Sequence, residues 1–384
     1  MRKLLRHTIR LAFILLLSVG CGAPTAVPTS VSPAVGAPPA PVSPTATPLL
    51  PVDPSPTPAD DGRTDGLSEQ EAATLGSLEQ VDDYPLYTMR YYGSYRAAAV
   101  PVDAVEGATG PSTPHPGEGE PLSAWACSLL AALGDAEGRL YGRNFDWRFS
   151  PAVLLFADPP DGYASVSMVD IAYLFDPTEA RRLIELPLAE RRALLRAPFM
   201  PFDGMNEHGL AVGMAAVLGS EMPHDANKET VDSLRVIREM LDRARNVDEA
   251  VQILGSYNVS WAGGPPLHYL IADASGRAAL VEFYDGKLVV IPNEEAWHLA
   301  TNFLQVTADE TGGWPCWRYD EIHRQLTETG GRVAAQDAMD LLGQVSQEMT
   351  QWSVLYGMST GQVDVVMGRQ YEDVHTFQLK RAAD

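Results

Sequence analysis

A single cysteine heads the segment of this chain whose residue types are best suited to nucleophilic chemistry. Residues 127–147 read CSLLAALGDAEGRLYGRNFDW, with two apolar runs on either side of the turn-forming stretch GDAEG, and this pattern predicts a β-hairpin. In a hairpin that turns at GDAEG, Cys127 lies opposite Phe145 on the partner strand. The prediction therefore places a guanidinium, that of Arg143, and a carboxylate, that of Asp146, near one thiol.

The reactivity of such a thiol depends on its protonation. A nearby arginine such as Arg143 favours the thiolate, which is the nucleophilic form of cysteine. A cysteine nucleophile also needs a base, and the hairpin contains no histidine. Cleavage of the chain before Cys127 would expose an α-amine, whose pKa of about 8 suits a proton shuttle near neutrality. The residues before this position are small, at Ser123, Ala124 and Ala126, and they follow a long loop rich in Gly and Pro.

Structural interpretations of the same residues stay open at this point. Cys127 could be only a buried structural thiol, because cysteine is among the residues most often found in protein cores. It could instead form a disulfide with Cys316, which an oxidising compartment permits and which would remove the nucleophile. Arg143 and Asp146 could form no more than a surface ion pair, which contributes little to stability. Cys316 itself, in GGWPCWRY, is expected to be buried beside the site.

The elements that must position these residues follow from hydrophobic periodicity. Apolar and alternating runs predict strands at 84–95, 151–158, 163–175 and 209–219, three strands within 267–292, and a late hairpin over 352–370. Helical spacing predicts helices over 178–196 and 230–244, a further helix from Asp248, and helices at about 318–328 and 333–347. Strands in blocks with helices in pairs between them predict packed antiparallel sheets covered by helices.

The hairpin sequence resembles the start of the linear-amide C–N hydrolases, a family of choloylglycine hydrolases, penicillin V acylases and the related acid ceramidase and acyltransferase branch. The resemblance implies an α+β fold, the αββα sandwich of the N-terminal nucleophile hydrolases, with two antiparallel sheets flanked by helices. The family's hairpin carries a nucleophilic Cys, then an Arg, then an Asp within a Gly-Arg-Asn-x-Asp-Trp ending. With the same spacing, these roles fall here on Cys127, Arg143 and Asp146.

Further motifs extend the resemblance over about residues 84–384. The stretch DGMNEHGLAVGMAAV is similar to the family's Asn-Glu-x-Gly-Leu strand, which implies that the backbone N–H of Ala216 contributes to an oxyanion hole. The stretch HLATNF matches the segment whose Asn donates to the oxyanion, here Asn302. The stretch WRYDEI resembles the segment that carries the last active-site Arg, here Arg318.

The function that the resemblance implies is hydrolysis of a linear, non-peptide amide by Cys127 through an acyl thioester, after autocleavage before that residue. Two alternatives stay open: an acyltransferase of the same family, and a catalytically inactive lipoprotein that binds an acyl ligand. The partner is expected to be a small N-acyl amide, and N-acylated lipids, acylated amino acids, acyl homoserine lactones and penicillins all fit. Bile salts fit less well, because bile salt hydrolases have Asn at the place of Ala216.

The composition argues against several other functions. The 384 residues carry a formal net charge of −22, which opposes binding to nucleic acid and direct electrostatic binding to anionic lipid. The stretch NEHG lacks the spacing of a zincin motif, and we expect neither a metal nor a cofactor. We expect His208, His268 and His298 to pack or hydrogen-bond rather than act as bases. A homo-oligomer is left open.

The first 126 residues predict export, anchoring and a cleavable linker. Residues 1–20 join a basic start to an apolar run of signal-peptide length, and Cys21 follows as a candidate lipidated cysteine. This pattern predicts a bacterial lipoprotein held at the outer face of a membrane by its lipid alone, with plain secretion as the alternative. Residues 21–83 are expected to be a Pro-rich, then acidic linker. Residues 84–126 are expected to hold an upstream strand, retained after cleavage as in acid ceramidase, and a cleavable loop; 127–384 form the expected catalytic domain.

Overall fold

The computed structural model describes residues 66–96, 126–261, 264–308 and 316–382. The expected signal peptide, Cys21 and most of the expected linker lie outside the described residues. Folded structure begins earlier than expected, because helix α1 (Glu69–Gly76) and strand β1 (Glu79–Asp82) fall within the segment predicted to be linker. The polar composition of that segment concealed the helix, whose start is fixed by a capping box between Ser68 and Glu71.

Two sheets form the centre of the fold, and their strands are numbered in chain order. The larger sheet has nine strands, which in spatial order are β1, β2 (Leu86–Tyr91), β5 (Ala152–Ala157), β6 (Ser165–Asp170), β7 (Asp203–Asn206), β8 (Ala211–Ala216), β11 (Leu267–Ala272), β12 (Ala278–Tyr284) and β13 (Lys287–Pro292). The smaller sheet has six strands, which are β14 (Trp297–Ala300), β3 (Ser128–Ala132), β4 (Leu140–Asp146), β15 (Thr350–Gly357), β16 (Gln362–Met367) and β17 (His375–Gln378). Two short strands, β9 (Thr230–Asp232) and β10 (Asn258–Ser260), form a separate parallel pair.

The larger sheet is mixed, whereas the sequence predicted only antiparallel sheets. Strands β2 and β5 run parallel, and the other neighbouring strands of the two large sheets are antiparallel throughout the described residues. Between β2 and β5 the chain enters the smaller sheet to form β3 and β4. Such a long connection allows two strands to run parallel, which a tight hairpin cannot do.

The predicted hairpin of β3 and β4 is confirmed. Ser128 pairs with Asn144 and Leu129 with Arg143, which is the register expected from a turn at GDAEG. Strand β4 also pairs with β15, so the hairpin lies in the middle of the smaller sheet. Its residues are buried on both faces, which makes its register rigid.

The two sheets pack face to face. Leu129 and Ala131 in β3 belong to the core between the sheets, whereas the alternating Leu130 and Ala132 face the helices on the other side. At Gly213 in β8, an added Cβ would lie 2.8 Å from the hydroxyl of Tyr141 in β4. The sheets therefore approach too closely at this point for a side chain.

Helices cover both outer faces of the sandwich. Helices α2 (Arg235–Arg243) and α3 (Val247–Gly255) pack on the larger sheet, and helices α4 (Trp317–Thr329) and α5 (Ala335–Gln344) pack on the smaller sheet. The four layers are those of an αββα sandwich, and the predicted α+β fold is confirmed. Among the described residues, no helix has both the length and the apolar character needed to cross a bilayer.

Two predicted helices differ from the structure. Residues 178–196 fall in short 3₁₀ segments, the last of which is Leu188–Phe199, and Pro187 within the predicted range prevents a continuous α-helix. The helix expected from residue 230 begins only at Arg235, where the carboxylate of Asp232 accepts hydrogen bonds from the first backbone N–H groups. The residues before it form β9 instead.

Candidate active site

Cys127 immediately precedes β3 and is buried, with 2% of its surface exposed. It is a free thiol, so the alternative in which it forms a disulfide with Cys316 is wrong. Cys316 is buried as expected and stands at the N-cap of α4. The hairpin thus holds one unmodified thiol at the start of its first strand.

Arg143 contacts this thiol from the partner strand. Its Nη2 lies 3.7 Å from Sγ of Cys127, and its Nη1 donates at 2.7 Å to Oδ2 of Asp203 and at 2.5 Å to the carbonyl of Phe202. Burial lowers the pKa of Arg143, but the nearby Asp203 and Cys127 more than offset this effect and raise the pKa above its ordinary value. The surface-ion-pair interpretation is wrong, because Arg143 is buried and its carboxylate partner is Asp203 rather than Asp146.

Asp203 is a member of the site that the sequence analysis did not single out. It lies at the start of β7 in the opposite sheet, is fully buried, and its Oδ1 accepts a hydrogen bond from the hydroxyl of Tyr356 at 2.5 Å. Burial raises the pKa of Asp203, and the charge of Arg143 and the Tyr356 hydrogen bond oppose this shift. Asp203 is the first residue of the DGMNEHGL motif, so the motif contained it, but only the packing of the two sheets identifies its partner.

Asp146 lies three residues after Arg143 in β4, so its side chain points to the opposite face of the strand. There Oδ1 accepts a hydrogen bond from Oγ1 of Thr350 at 2.5 Å, and Oδ2 lies 4.0 Å from Nη1 of Arg318. Within the described residues, no donor hydrogen-bonds to Oδ2. Burial raises the pKa of Asp146 to about 7, against the opposing effects of Arg318 and Thr350. The hairpin therefore separates the guanidinium and the carboxylate that the sequence placed together.

Arg318 in α4 joins several parts of the site. Its Nη1 donates to the main-chain carbonyl of Cys127 at 2.5 Å and to Oγ of Ser128 at 2.9 Å. Its Nη2 donates to Oδ1 of Asn302 at 2.9 Å. Burial lowers the pKa of Arg318, while Asp146 and Cys127 oppose this shift. Arg318 thus links the nucleophile's backbone to the side chain of Asn302.

Asn302 and Ala216 meet at the end of strand β8, in the interior of the larger sheet. Nδ2 of Asn302 donates to the carbonyl of Ala216 at 2.8 Å. The N–H of Val217 donates to the carbonyl of Pro266, so these two residues form a hydrogen-bonded pair. Hydrogen-bonded and non-hydrogen-bonded pairs alternate along an antiparallel ladder, so the next pair, Ala216 with Leu267, is not hydrogen-bonded. The N–H and C=O of Ala216 therefore both point away from β11. The two groups expected to stabilise an oxyanion therefore lie on the same side of β8.

A family model provides an independent comparison. Residues 197–359 match the model of a family described as acyl-coenzyme A:6-aminopenicillanic acid acyl-transferase. The resemblance to the linear-amide C–N hydrolases is confirmed. This match supports an acylase or amide hydrolase, and it covers Asp203, Ala216, Asn302 and Arg318 but not the hairpin.

Solved structures resemble the chain at low sequence identity. A variant of the conjugated bile acid hydrolase from Clostridium perfringens is 15% identical with a TM-score of 0.49, and the match covers 66% of this chain and 92% of that chain. Penicillin V acylase from Agrobacterium tumefaciens is 16% identical with a TM-score of 0.47, and the match covers 66% and 86%. None of the curated proteins compared with the chain matches it significantly. No substrate or mechanism follows from similarity at this level.

The contacts within this chain bring the five expected catalytic side chains and Ala216 into one network. Arg143 touches the thiol, Arg318 holds the main chain of Cys127, and Asn302 bridges Arg318 and Ala216. Such a network can polarise a thiol, hold a main-chain amine near a carboxylate and offer hydrogen-bond donors to a developing oxyanion.

One further cluster has side chains of the types that bind metal ions. Among the described residues, Asp82, Asp373 and His375 are the only such group, with ligand atoms within 4.8 Å of one another. Nε2 of His375 already forms a 2.7 Å hydrogen bond with Oδ2 of Asp82. The cluster lies between β1 and β17 and contains none of the residues of the candidate active site.

Proposed function

We propose that this chain is a self-processing amide hydrolase that uses Cys127 as an N-terminal nucleophile. The observation that carries the proposal is the position of the buried free thiol of Cys127, which contacts the guanidinium of Arg143. A second guanidinium, that of Arg318, donates to the main-chain carbonyl of Cys127. A purely structural cysteine needs neither guanidinium. Two buried guanidinium groups beside one cysteine instead place positive charge next to its Sγ and fix its backbone.

The register of the hairpin supports an α-amine as the base. The ladder begins with the pair of Ser128 and Asn144, and its register, continued by two residues, would set Ala126 opposite Asp146 and the peptide nitrogen of Cys127 next to that pair. Cleavage between Ala126 and Cys127 would free an amine close to the Asp146 carboxylate. Oδ2 of Asp146 accepts no hydrogen bond among the described residues, so it has the capacity to bind that amine.

The proposed reaction proceeds in two halves. The α-amine takes the thiol proton, and Sγ of Cys127 attacks the substrate carbonyl to form a tetrahedral oxyanion stabilised by Nδ2 of Asn302 and the N–H of Ala216. The ammonium then protonates the leaving amine as the C–N bond breaks, which leaves an acyl thioester. In the second half, the amine deprotonates water, the hydroxide attacks the thioester, and the carboxylic acid leaves as the thiol is restored.

Self-processing would use the same thiol on the chain itself. Attack of Sγ on the carbonyl of Ala126 breaks the Ala126–Cys127 amide bond, and the amine of Cys127 leaves with a proton. Water then hydrolyses the resulting thioester, which gives a carboxylate on Ala126 and a free N-terminal Cys127. Asp146 is a candidate to accept a proton before the α-amine exists, because burial raises its pKa to about 7 and its Oδ2 accepts no hydrogen bond among the described residues.

A second function, acyl transfer, is favoured by the description of the matching family, which is an acyl-transferase. It differs from hydrolysis only in the group that attacks the thioester, an amine instead of water. Supplying 6-aminopenicillanic acid or glycine with an acyl substrate separates the two, since a transferase would form a new amide in preference to the free acid.

The proposed reaction defines the substrate only as an N-acyl amide, without specifying its acyl and amine parts. N-acylated lipids, acylated amino acids, acyl homoserine lactones and penicillins form the panel to be tested. The sequence of residues 1–21 supports export with a lipid on Cys21, and membrane tethering would suit an N-acyl lipid substrate. Incorporation of labelled palmitate into the wild-type chain but not into Cys21→Ser would support that anchor, and equal labelling would exclude it.

The experiment that tests the function is intact mass spectrometry of the purified full chain, before and after reaction with iodoacetamide. We expect a fragment that begins at Cys127 and carries one label on that residue, together with hydrolysis of at least one member of the panel. Cys127→Ala is expected to remain uncut, and Cys127→Ser controls for the size of the side chain. An uncut wild-type chain that hydrolyses nothing would indicate a binding protein on this fold instead.

A further inference from the structure

The segment that follows β14 carries Asn302, and two buried side chains of the larger sheet hold it. Glu282 in β12 and His268 in β11 are both fully buried. Oε1 of Glu282 accepts a hydrogen bond from the N–H of Gln305 at 2.8 Å, and Oε2 accepts one from the N–H of Val306 at 2.9 Å. The carboxylate therefore fixes the backbone three and four residues after Asn302.

His268 fixes the backbone on the other side of Asn302. Its Nε2 lies 2.8 Å from the carbonyl of Thr301, and its Nδ1 lies 3.1 Å from Oε1 of Glu282. A carbonyl only accepts hydrogen bonds, so Nε2 carries the proton that it donates to Thr301. His268 therefore links the carbonyl of Thr301 to the carboxylate of Glu282.

The same pair of strands also sets the position of Ala216. In the ladder between β11 and β8, Leu267 pairs with Ala216 and His268 pairs with Ala215. His268 is thus one residue along β11 from the partner of Ala216, and it holds Thr301 at the same end of the sheet. Both expected oxyanion donors are therefore positioned by β11.

We propose that Glu282 and His268 are positioning residues that fix the Asn302 amide against Ala216 at the candidate oxyanion site. The inference rests on the proposed function, in which Asn302 donates to the oxyanion. The side chain of Asn302 is already held at both ends, by Arg318 and by the carbonyl of Ala216. The Glu282–His268 pair supplies the remaining constraint, since it anchors the backbone on both sides of this residue.

Loss of either Glu282 or His268 should displace the Asn302 amide without weakening the binding of substrate. Glu282→Gln leaves a single carbonyl oxygen where two oxygens accept hydrogen bonds from Gln305 and Val306. A displacement of about 1 Å of a catalytic group costs roughly 10²-fold in rate, so we expect kcat to fall about 10- to 100-fold while KM changes little. His268→Asn is expected to act in the same direction.

The test measures kcat and KM of the full-length, self-processed enzyme with penicillin V and with N-lauroyl-7-amino-4-methylcoumarin. His298→Asn is the matched control, because His298 is also a buried histidine, but its ring hydrogen-bonds to the backbone of Ile291 and Leu299 and, among the described residues, to none of residues 301–306. Addition of Glu282→Gln to Asn302→Ala should cause little further loss of kcat, because the positioned group is already absent. Additive losses would show that Glu282 acts on something other than Asn302.

Hydrogen exchange separates failure of this inference from failure of the proposed function. In Glu282→Gln, amide protection across 301–306 should fall about tenfold, as expected for the loss of one hydrogen bond, whether or not the wild-type enzyme cleaves either probe. If the wild-type enzyme cleaves neither probe, the proposed function fails for those two substrates. Hydrogen exchange still tests in that case whether Glu282 holds the backbone of residues 301–306. Unchanged protection, or unchanged kcat in an active enzyme, would overturn the proposal.

Discussion

Arg143 and Asp203 form a buried ion pair across the interior of the sandwich, with Nη1 of the arginine 2.7 Å from Oδ2 of the aspartate. Each residue belongs to a different sheet, so the pair joins the hairpin of the nucleophile to the opposite layer. The hydroxyl of Tyr356 holds the other carboxylate oxygen. The guanidinium that contacts the thiol is therefore fixed from a direction that the hairpin alone cannot provide.

Asp203→Asn is expected to destabilise the fold strongly, because it leaves the buried charge of Arg143 without its partner. The expected loss in free energy of unfolding is about 3–5 kcal/mol. Tyr356→Phe removes one hydrogen bond to a charged group and should cost only about 1.5–3 kcal/mol. Urea denaturation of both variants in a Cys127→Ala chain, which stays uncut, measures the difference. Similar small losses for the two variants would contradict a charged pair.

Asp146 is expected to make stability depend on pH. Its pKa is about 7 in the fold, raised from 3.8 by burial, so between about pH 4 and pH 7 the folded chain keeps a proton that the unfolded chain has released. Stability contributed by this proton is complete below pH 4 and is lost as the pH rises through 7. Asp146→Asn in the Cys127→Ala chain should flatten the decline and raise the free energy of unfolding at pH 8, by at most about 4 kcal/mol.

Asp170 offers a matched control for this prediction. Burial also raises its pKa to about 7, and its carboxylate caps the 3₁₀ turn at Ile171–Tyr173 rather than facing the nucleophile. Asp170→Asn should therefore flatten the same pH dependence. Only Asp146→Asn is expected to slow self-processing of a chain that retains Cys127, as followed by intact mass. Equal processing in both variants would remove Asp146 from the mechanism.

The expected oxyanion donors can be tested by removing one hydrogen-bond donor at a time. Asn302→Ala should lower kcat by about 10²- to 10³-fold with little change in KM. At the other donor, Ala216→Pro removes the backbone N–H while Ala216→Gly keeps it. Steady-state kinetics should show a large loss in kcat for proline and a small one for glycine. Comparable losses of kcat in Ala216→Pro and Ala216→Gly would mean that the reaction depends on the conformation of strand β8 and not on the N–H of residue 216.

The sequence predicted the hairpin register and the residues that line it, because both depend on local turn chemistry and strand alternation. It did not predict the partner of Arg143, since Asp203 comes from another sheet and only packing brings the two together. It also missed the anchoring role of Glu282, whose hydrogen bonds reach a segment more than twenty residues away. Long-range polar contacts of this kind leave no periodic signal in a single sequence.

The segment before the cleavage position is expected to stay bound after processing. Strand β2 pairs with β5 inside the larger sheet, and its Leu86, Tyr87 and Met89 are fully buried. The hydroxyl of Tyr95 donates to the buried carboxylate of Asp242 at 2.7 Å. Departure of this segment would expose the apolar strand and one edge of β5, at a large cost in free energy.

Native and denaturing mass spectrometry of the processed protein tests this prediction. Both fragments should travel together under native conditions and separate in denaturant. The fragment 127–384 expressed alone should be insoluble or inactive, because β5 would then be an unpaired edge with an uncovered apolar face. Co-expression with residues 66–126 should restore activity. An active 127–384 fragment without upstream residues would show instead that the larger sheet is complete without β1 and β2, and that the upstream segment serves only until cleavage.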